Sequence, residues 1–159
     1  GFQDTVAVDV DEVMDTCFIA GDQGGFASSS LTPPLTWNLN RDSTGTDITG
    51  IWGTGQTSLF MVGDNGKWIK YDGTQLTVMN RIDSTRVDNL TAIHGTGSDN
   101  RNIYVVGNNG AIYAYDGTTW TRETNNNVSG YTLTGVYVGD ANNVWAVGYR
   151  SVDGAIFKR

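Results

Sequence analysis

The feature that most constrains this chain of 159 residues is a repeat. Ala20-Gly21, Val62-Gly63, Val106-Gly107 and Val147-Gly148 recur at spacings of 42, 44 and 41 residues. Each pair closes an apolar run: Cys17-Phe18-Ile19, Leu59-Phe60-Met61, Ile103-Tyr104-Val105 and Val144-Trp145-Ala146. An aromatic fills the middle position every time. Self-similarity at roughly 20–50 residues marks solenoids, propellers and arrays, in which one supersecondary unit is stacked several times.

Each unit reads as four short strands. A first apolar segment lies upstream of each run: Val6-Ala7-Val8, Ile48-Thr49-Gly50-Ile51-Trp52, Leu90-Thr91-Ala92-Ile93-His94 and Leu133-Thr134-Gly135-Val136-Tyr137. Turn glycines follow the run, at Gly24-Gly25, Asn65-Gly66, Asn109-Gly110 and Asp153-Gly154. Asn-Gly and Asp-Gly between apolar runs predict tight hairpins, because a type I′ turn needs positive φ at both central residues. The strand segments are rich in Val, Ile, Thr and aromatics, and no stretch keeps a helical apolar period. The expected class is all-β, with almost no helix.

A four-stranded sheet of about 40 residues cannot cover both its faces. Successive apolar positions such as Phe60-Met61-Val62 ask for cover on both sides. Equivalent sheets stacked face to face around an axis supply it, which is the β-propeller solution. The aromatic at Phe18, Phe60, Tyr104 and Trp145 is then an inter-blade wedge. The expected blades are 5–47, 48–89, 90–132 and 133–159, the last incomplete.

Two units carry a further signature. It is full in Tyr115-Asp116-Gly117-Thr118-Thr119-Trp120 and partial in Tyr71-Asp72-Gly73-Thr74-Gln75-Leu76. With the Val-Gly-x-x-Gly core, the units resemble the bacterial extracellular β-propeller repeat family. They are more distantly similar to Asp-box (BNR-type) and photosystem-assembly-factor-type propellers. The first unit departs, with 28–37 (Ser28 to Trp37) replacing the Asp-Gly turn, and the fourth stops before it. The resemblance implies a propeller over nearly the whole chain and a structural role for the turn aspartates. It implies no single function, since such folds host many. Sialidases use related propellers with an arginine cluster. Here Arg41, Arg81, Arg86, Arg101, Arg122 and Arg150 share no repeat position.

Four units can close a small ring alone, belong to a larger propeller, or leave an open strand edge for a partner or a second copy. The expectation leans to a chain that is part of something larger.

Composition narrows the function. Lys+Arg 10 against Asp+Glu 17 gives a net charge of −7, which argues against nucleic-acid and anionic-membrane partners. Gly 21 is about twice the ordinary share and suits a turn-rich β protein. One Cys and one His exclude an internal disulfide and any multi-Cys or multi-His metal site. No apolar run is long enough for a membrane span, and no signal peptide is visible. Low Lys with high Gly, Thr and Asn suits a secreted or cell-surface module. Asn89-Leu90-Thr91 and Asn127-Val128-Ser129 match the glycosylation sequon.

Candidate ligand-binding residues are Trp52, His94, Tyr137 and Asp9, which share one repeat position, together with Trp37. His94 has no nucleophile or orienting carboxylate implied nearby, so a packing role is expected. Cys17 aligns with Leu59, Ile103 and Val144 and is expected in the core. Asp9, Asp11, Glu12 and Asp15 offer oxygen ligands to a metal but lack calcium-loop spacing, so a solvated loop is expected. Gly21, Gly63, Gly107 and Gly148 are repeat glycines, and Asp72, Gly73, Asp116 and Gly117 form turns in which Asp binds its own backbone. No cofactor or catalytic residue is expected. The expected function is a non-enzymatic scaffold for protein contacts, using the ring of loops at 10–15, 53–57, 95–101 and 139–142. The alternatives are a lectin-like module for glycans, or a structural subunit of an extracellular filament or phage particle.

Overall fold

The computed structural model describes residues 5–11, 15–124 and 126–159, with backbone alone at 5–11 and 126. The β-branched and aromatic runs all become strands, in four antiparallel sheets. The first sheet holds β1 (Thr5–Asp11), β2 (Thr16–Gly21), β3 (Gly25–Ser30) and β4 (Asn38–Arg41). The second holds β5 (Ile48–Gly53), β6 (Leu59–Gly63), β7 (Trp68–Tyr71) and β8 (Leu76–Val78). The third holds β9 (Leu90–Gly95), β10 (Ile103–Gly107), β11 (Ile112–Tyr115) and β12 (Trp120–Arg122). The fourth has three strands, β13 (Thr132–Asp140), β14 (Asn143–Arg150) and β15 (Asp153–Lys158). Strands follow chain order within each sheet.

The second-to-third strand turns have the predicted chemistry. Asn65 and Gly66 have φ of 60° and +70°, Asn109 and Gly110 of 53° and +63°. In the first unit the turn is formed by Gln23 (φ 53°) and Gly24 (φ +70°), at the same offset from Gly21 as Asn65-Gly66 from Gly63, and not by the expected Gly24-Gly25; Gly25 begins β3. The fourth unit does shift the turn. Arg150 pairs with Asp153 across Ser151-Val152, so Asp153 and Gly154 lie inside β15. There β14 and β15 pair on beyond Gly148, and a longer hairpin moves the turn outward.

The repeat glycine has a steric cause. Gly63 and Gly107 are extended (φ −168° and −167°), a conformation open to any residue. A Cβ on Gly63, Gly107 or Gly148 would strike the carbonyl oxygen of Asp47, Asn89 or Thr132, the residue that leads into the first strand. Close approach of backbone to backbone, not turn geometry, excludes a side chain here.

The sheets stack in order, with β1 against β5, β5 against β9 and β9 against β13. Every first strand carries an irregularity at the same register: between Thr5 and Ala7, Ile48 and Gly50, Leu90 and Ala92, and Leu133 and Gly135. Two threonines inserted there, Thr49 and Thr91, reach the next sheet. Thr49 Oγ1 donates to the Leu90 carbonyl at 2.6 Å, and Thr91 Oγ1 to the Leu133 carbonyl at 2.5 Å.

Apolar side chains fill the three spaces between sheets. Phe18 and Phe26 meet Ile48, Leu59 and Met61. Phe60, Val62 and Trp68 meet Leu90, Ile103 and Val105. Tyr104 and Val106 meet Val144, Leu133 and Ala146. Linker carboxylates add polar ties. Asp42 receives Lys67 Nζ at 2.6 Å, and Asp88 receives Tyr113 Oη at 2.8 Å and pairs with Arg86 at 2.9 Å.

Candidate functional site

The residues at the shared repeat position form the fifth site of β1, β5 and β9 and the sixth of β13, and pairing fixes their rows. Asp9 pairs with Phe18, Trp52 with Phe60, His94 with Tyr104 and Tyr137 with Trp145. Trp52 lies against the third sheet, its ring over Gly95, whose absent Cβ makes the room. His94 and Tyr137 stack across sheets at 5.2 Å between ring centroids. His94 Nδ1 accepts the Val138 amide at 3.1 Å, and burial lowers the imidazole pKa. The imidazole is therefore an uncharged tie between the third and fourth sheets at neutral pH. Trp37 is exposed on the 31–41 segment of the first sheet, apart from this row. Asp9 and Asp11 are described only as strand positions, and Glu12 lies outside the described residues. Asp15 accepts Thr32 Oγ1 at 2.5 Å. Among the described residues no group of three or more His, Cys, Asp or Glu is placed to hold a metal. Cys17 is half-buried.

The connections between first and second strands touch one another in sequence. Gln56 Nε2 bonds Thr16 Oγ1. Thr54 and Ser58 hydroxyls both donate to Asn100 Oδ1, at 3.1 and 2.9 Å. Thr96 Oγ1 reaches the Gly139 carbonyl at 3.5 Å. These loops thus share one face. The turns between third and fourth strands behave as Asx turns. Asp72 Oδ1 accepts the Thr74 and Gln75 amides at 2.9 and 2.8 Å, and Asp116 Oδ1 accepts those of Thr118 and Thr119, both at 2.8 Å. Those backbone bonds hold both carboxyls below their ordinary pKa. Gly73 (φ +94°) and Gly117 (φ +98°) supply the left-handed step.

Two features stand outside the candidates drawn from sequence. The first is the outer face of the fourth sheet. Trp145, Val147, Tyr149 and Ile156 are 38–71% exposed there. Phe18, Phe60 and Tyr104, the register equivalents of Trp145, are only 2–3% exposed. The second is a cleft of about 270 Å³ between the first two sheets, lined by Phe18, Ser28, Ser30, Asn38, Gln56 and Tyr71, among others. A signal for it was present in the sequence, since Ser28 stands where the second unit has Lys70.

No protein-family model matches the chain, and no curated protein matches it significantly.

Proposed function

We propose that the chain is a β-propeller module acting as a non-enzymatic scaffold through protein–protein contact. Four like sheets stacked through their first strands, with connecting loops side by side, support the propeller reading. The outer face of the fourth sheet carries the contact reading. Its Trp145 and Val147 hold the register of Phe60 and Val62, and of Tyr104 and Val106, which the next sheet covers. Apolar exposure of this kind marks an interaction surface.

Continuity with three internal interfaces supports one occupant, another sheet of the same repeat from a second copy of this chain. The first sheet offers the receiving face. Cys17 and Ile19, equivalent to the buried Leu59 and Met61, are half-buried, and Leu39 in the row of Ile19 is 66% exposed. The fourth sheet of one copy laid on the first sheet of another continues the stack. Such a head-to-tail contact closes a ring or extends a filament, depending on its rotation. An extracellular or cell-surface setting belongs to this reading through the family resemblance.

Light scattering over a concentration series tests it. The expected mass exceeds the 17.2 kDa of one chain and rises with concentration. Trp145→Glu and Ile156→Glu each return it to one chain without loss of β signal. A single-chain mass at every concentration overturns the contact reading.

A further inference from the structure

From an internal comparison of the sheet interfaces, we infer that the cleft between the first and second sheets is a binding site for a primary alkylammonium group. Between the second and third sheets, Lys70 Nζ lies 5.3, 5.2 and 5.3 Å from the ring centroids of Phe60, Trp68 and Tyr115. It also donates to Tyr115 Oη at 3.0 Å. This is an aromatic cage holding the chain's own cation.

The same aromatic trio stands one interface earlier, and two of its rings, Phe18 and Tyr71, border the cleft while Phe26 packs behind them. Phe18, Phe26 and Tyr71 hold the register positions of Phe60, Trp68 and Tyr115. The geometry matches as well. Phe18 and Phe26 stack at 6.1 Å, as Phe60 and Trp68 do at 6.4 Å. Tyr71 leans on its pair at 6.4 and 5.0 Å, Tyr115 on its own at 5.7 and 5.9 Å. What differs is the fourth member. Ser28 pairs with Phe18 where Lys70 pairs with Phe60, and the cleft opens at that place.

The other repeat aromatics also carry a cation. Arg159 Cζ lies 5.6 Å from the Tyr104 centroid, and Lys158 Nζ lies 5.0 Å from that of Trp145. Among the described residues Phe18 has none. Around it stand hydroxyl and amide oxygens of Ser28, Ser30 and Asn38, which accept from an ammonium and cannot repel it. The chain's net charge of −7 favours a cationic guest. A lysine side chain of a partner and a free alkylamine present the same group. This site does not depend on the open face of the fourth sheet.

The test follows the amide NMR shifts of Ser28, Asn38 and Tyr71 during titration with n-butylammonium chloride and, as neutral isostere, n-butanol. Saturable shifts with the ammonium alone are expected. A Gly-Lys-Gly peptide shifting them more tightly than butylammonium identifies a protein lysine as the guest, and the reverse identifies a free amine. Ser28→Lys places a tethered ammonium in the cleft and weakens binding at least about fivefold. Ser28→Met fills the same space without charge and gives the same loss, should the lysine variant not fold. Equal response to butanol, no saturation by about 100 mM, response only to a neutral sugar such as maltose, or unchanged binding in a folded variant each overturns the proposal.

Discussion

Lys67 and Asp42 meet across the linker between the first two sheets, Nζ to Oδ2 at 2.6 Å, with side chains 6% and 0% exposed. Asp42 Oδ1 is taken by the amide and hydroxyl of Thr44, at 2.7 and 2.6 Å, and Lys67 Nζ also donates to the Thr46 carbonyl at 2.8 Å. Both charges are thus paired and hydrogen-bonded. Removing one partner strands the other in a dry site. Asp42→Asn is expected to cost about 3–5 kcal/mol, whereas the double change Asp42→Leu with Lys67→Met costs far less. Urea unfolding of the two variants against wild type measures both figures. Burial pushes the Asp42 carboxyl up, but the bonds from Lys67 and Thr44 outweigh it, and its pKa lies below 3.8. A depressed folded value means the stabilisation is complete above the unfolded value and is lost as pH falls through the folded one. Acid unfolding of wild type is therefore steeper below pH 3.8 than that of Asp42→Asn.

Thr49 and Thr91 make the same bond one repeat apart, each to a carbonyl of the following sheet. Thr134 holds the third such position but is exposed, with no further sheet beyond it among the described residues. Valine keeps the shape and removes the hydroxyl. Thr49→Val and Thr91→Val are expected to lose about 1 kcal/mol each, and Thr134→Val to stay within about 0.5 kcal/mol of wild type. Chemical denaturation of the three variants checks this. An equal loss at all three positions would mean that the bond between sheets contributes nothing specific.

Much of this architecture was legible because its causes are local. The β-branched and aromatic runs and the Asn-Gly dipeptides at 65 and 109 act within a few residues, so strands and turns could be read directly. The Asp72 and Asp116 turns were legible for the same reason. Gln23-Gly24 was misread because Gly24-Gly25 is the stronger turn dipeptide in the sequence, although Gln23-Gly24 keeps the offset of Asn65-Gly66 from the repeat glycine. Ser151-Val152 was misread because longer pairing of β14 with β15, a property of two strands together, moved the turn. The open face was hidden more deeply. Trp145 has the same sequence signature as Phe60, and only the lack of a covering sheet among the described residues makes one exposed and the other buried. The Lys70 cage required comparison of two interfaces, since Phe26 and Ser28 say nothing alone.

His94 is expected to titrate below its ordinary value of 6.5, because burial disfavours the imidazolium. Protonation of Nδ1 would also destroy the acceptor for the Val138 amide. The folded state then binds fewer protons than the unfolded one between the two pKa values. Stability from this site is complete above pH 6.5 and falls as pH drops through that window. Proton NMR of the single imidazole gives the midpoint directly. His94→Phe keeps the ring and is expected to cost about 1 kcal/mol, through the unpaired Val138 amide. It also flattens the pH dependence of the melting temperature below pH 6.5. A midpoint at or above 6.5 would contradict the buried, uncharged imidazole.

Gly107 separates two reasons for a repeated glycine. Its backbone is extended, with φ −167°, so alanine meets no conformational barrier. A Cβ would instead run into the Asn89 carbonyl, which is fixed by the Asn108 amide bonded to it at 3.0 Å. A rigid backbone atom cannot turn aside as a side chain does, so β9 and β10 must separate locally. Gly107→Ala is expected to cost about 1–3 kcal/mol, the range for overpacking. Gly154 is the control. It too lies in a strand, but a Cβ there finds nothing nearer than the Gly148 carbonyl at 4.0 Å, and alanine stays within about 0.5 kcal/mol of wild type. Hydrogen exchange at the Gly107 amide, which donates to the Ala111 carbonyl at 3.0 Å, locates the damage. Faster exchange there in Gly107→Ala, with β15 unchanged, is the pattern that steric contact demands. A destabilisation of Gly154→Ala equal to that of Gly107→Ala would instead point to the general cost of altering glycine in a strand.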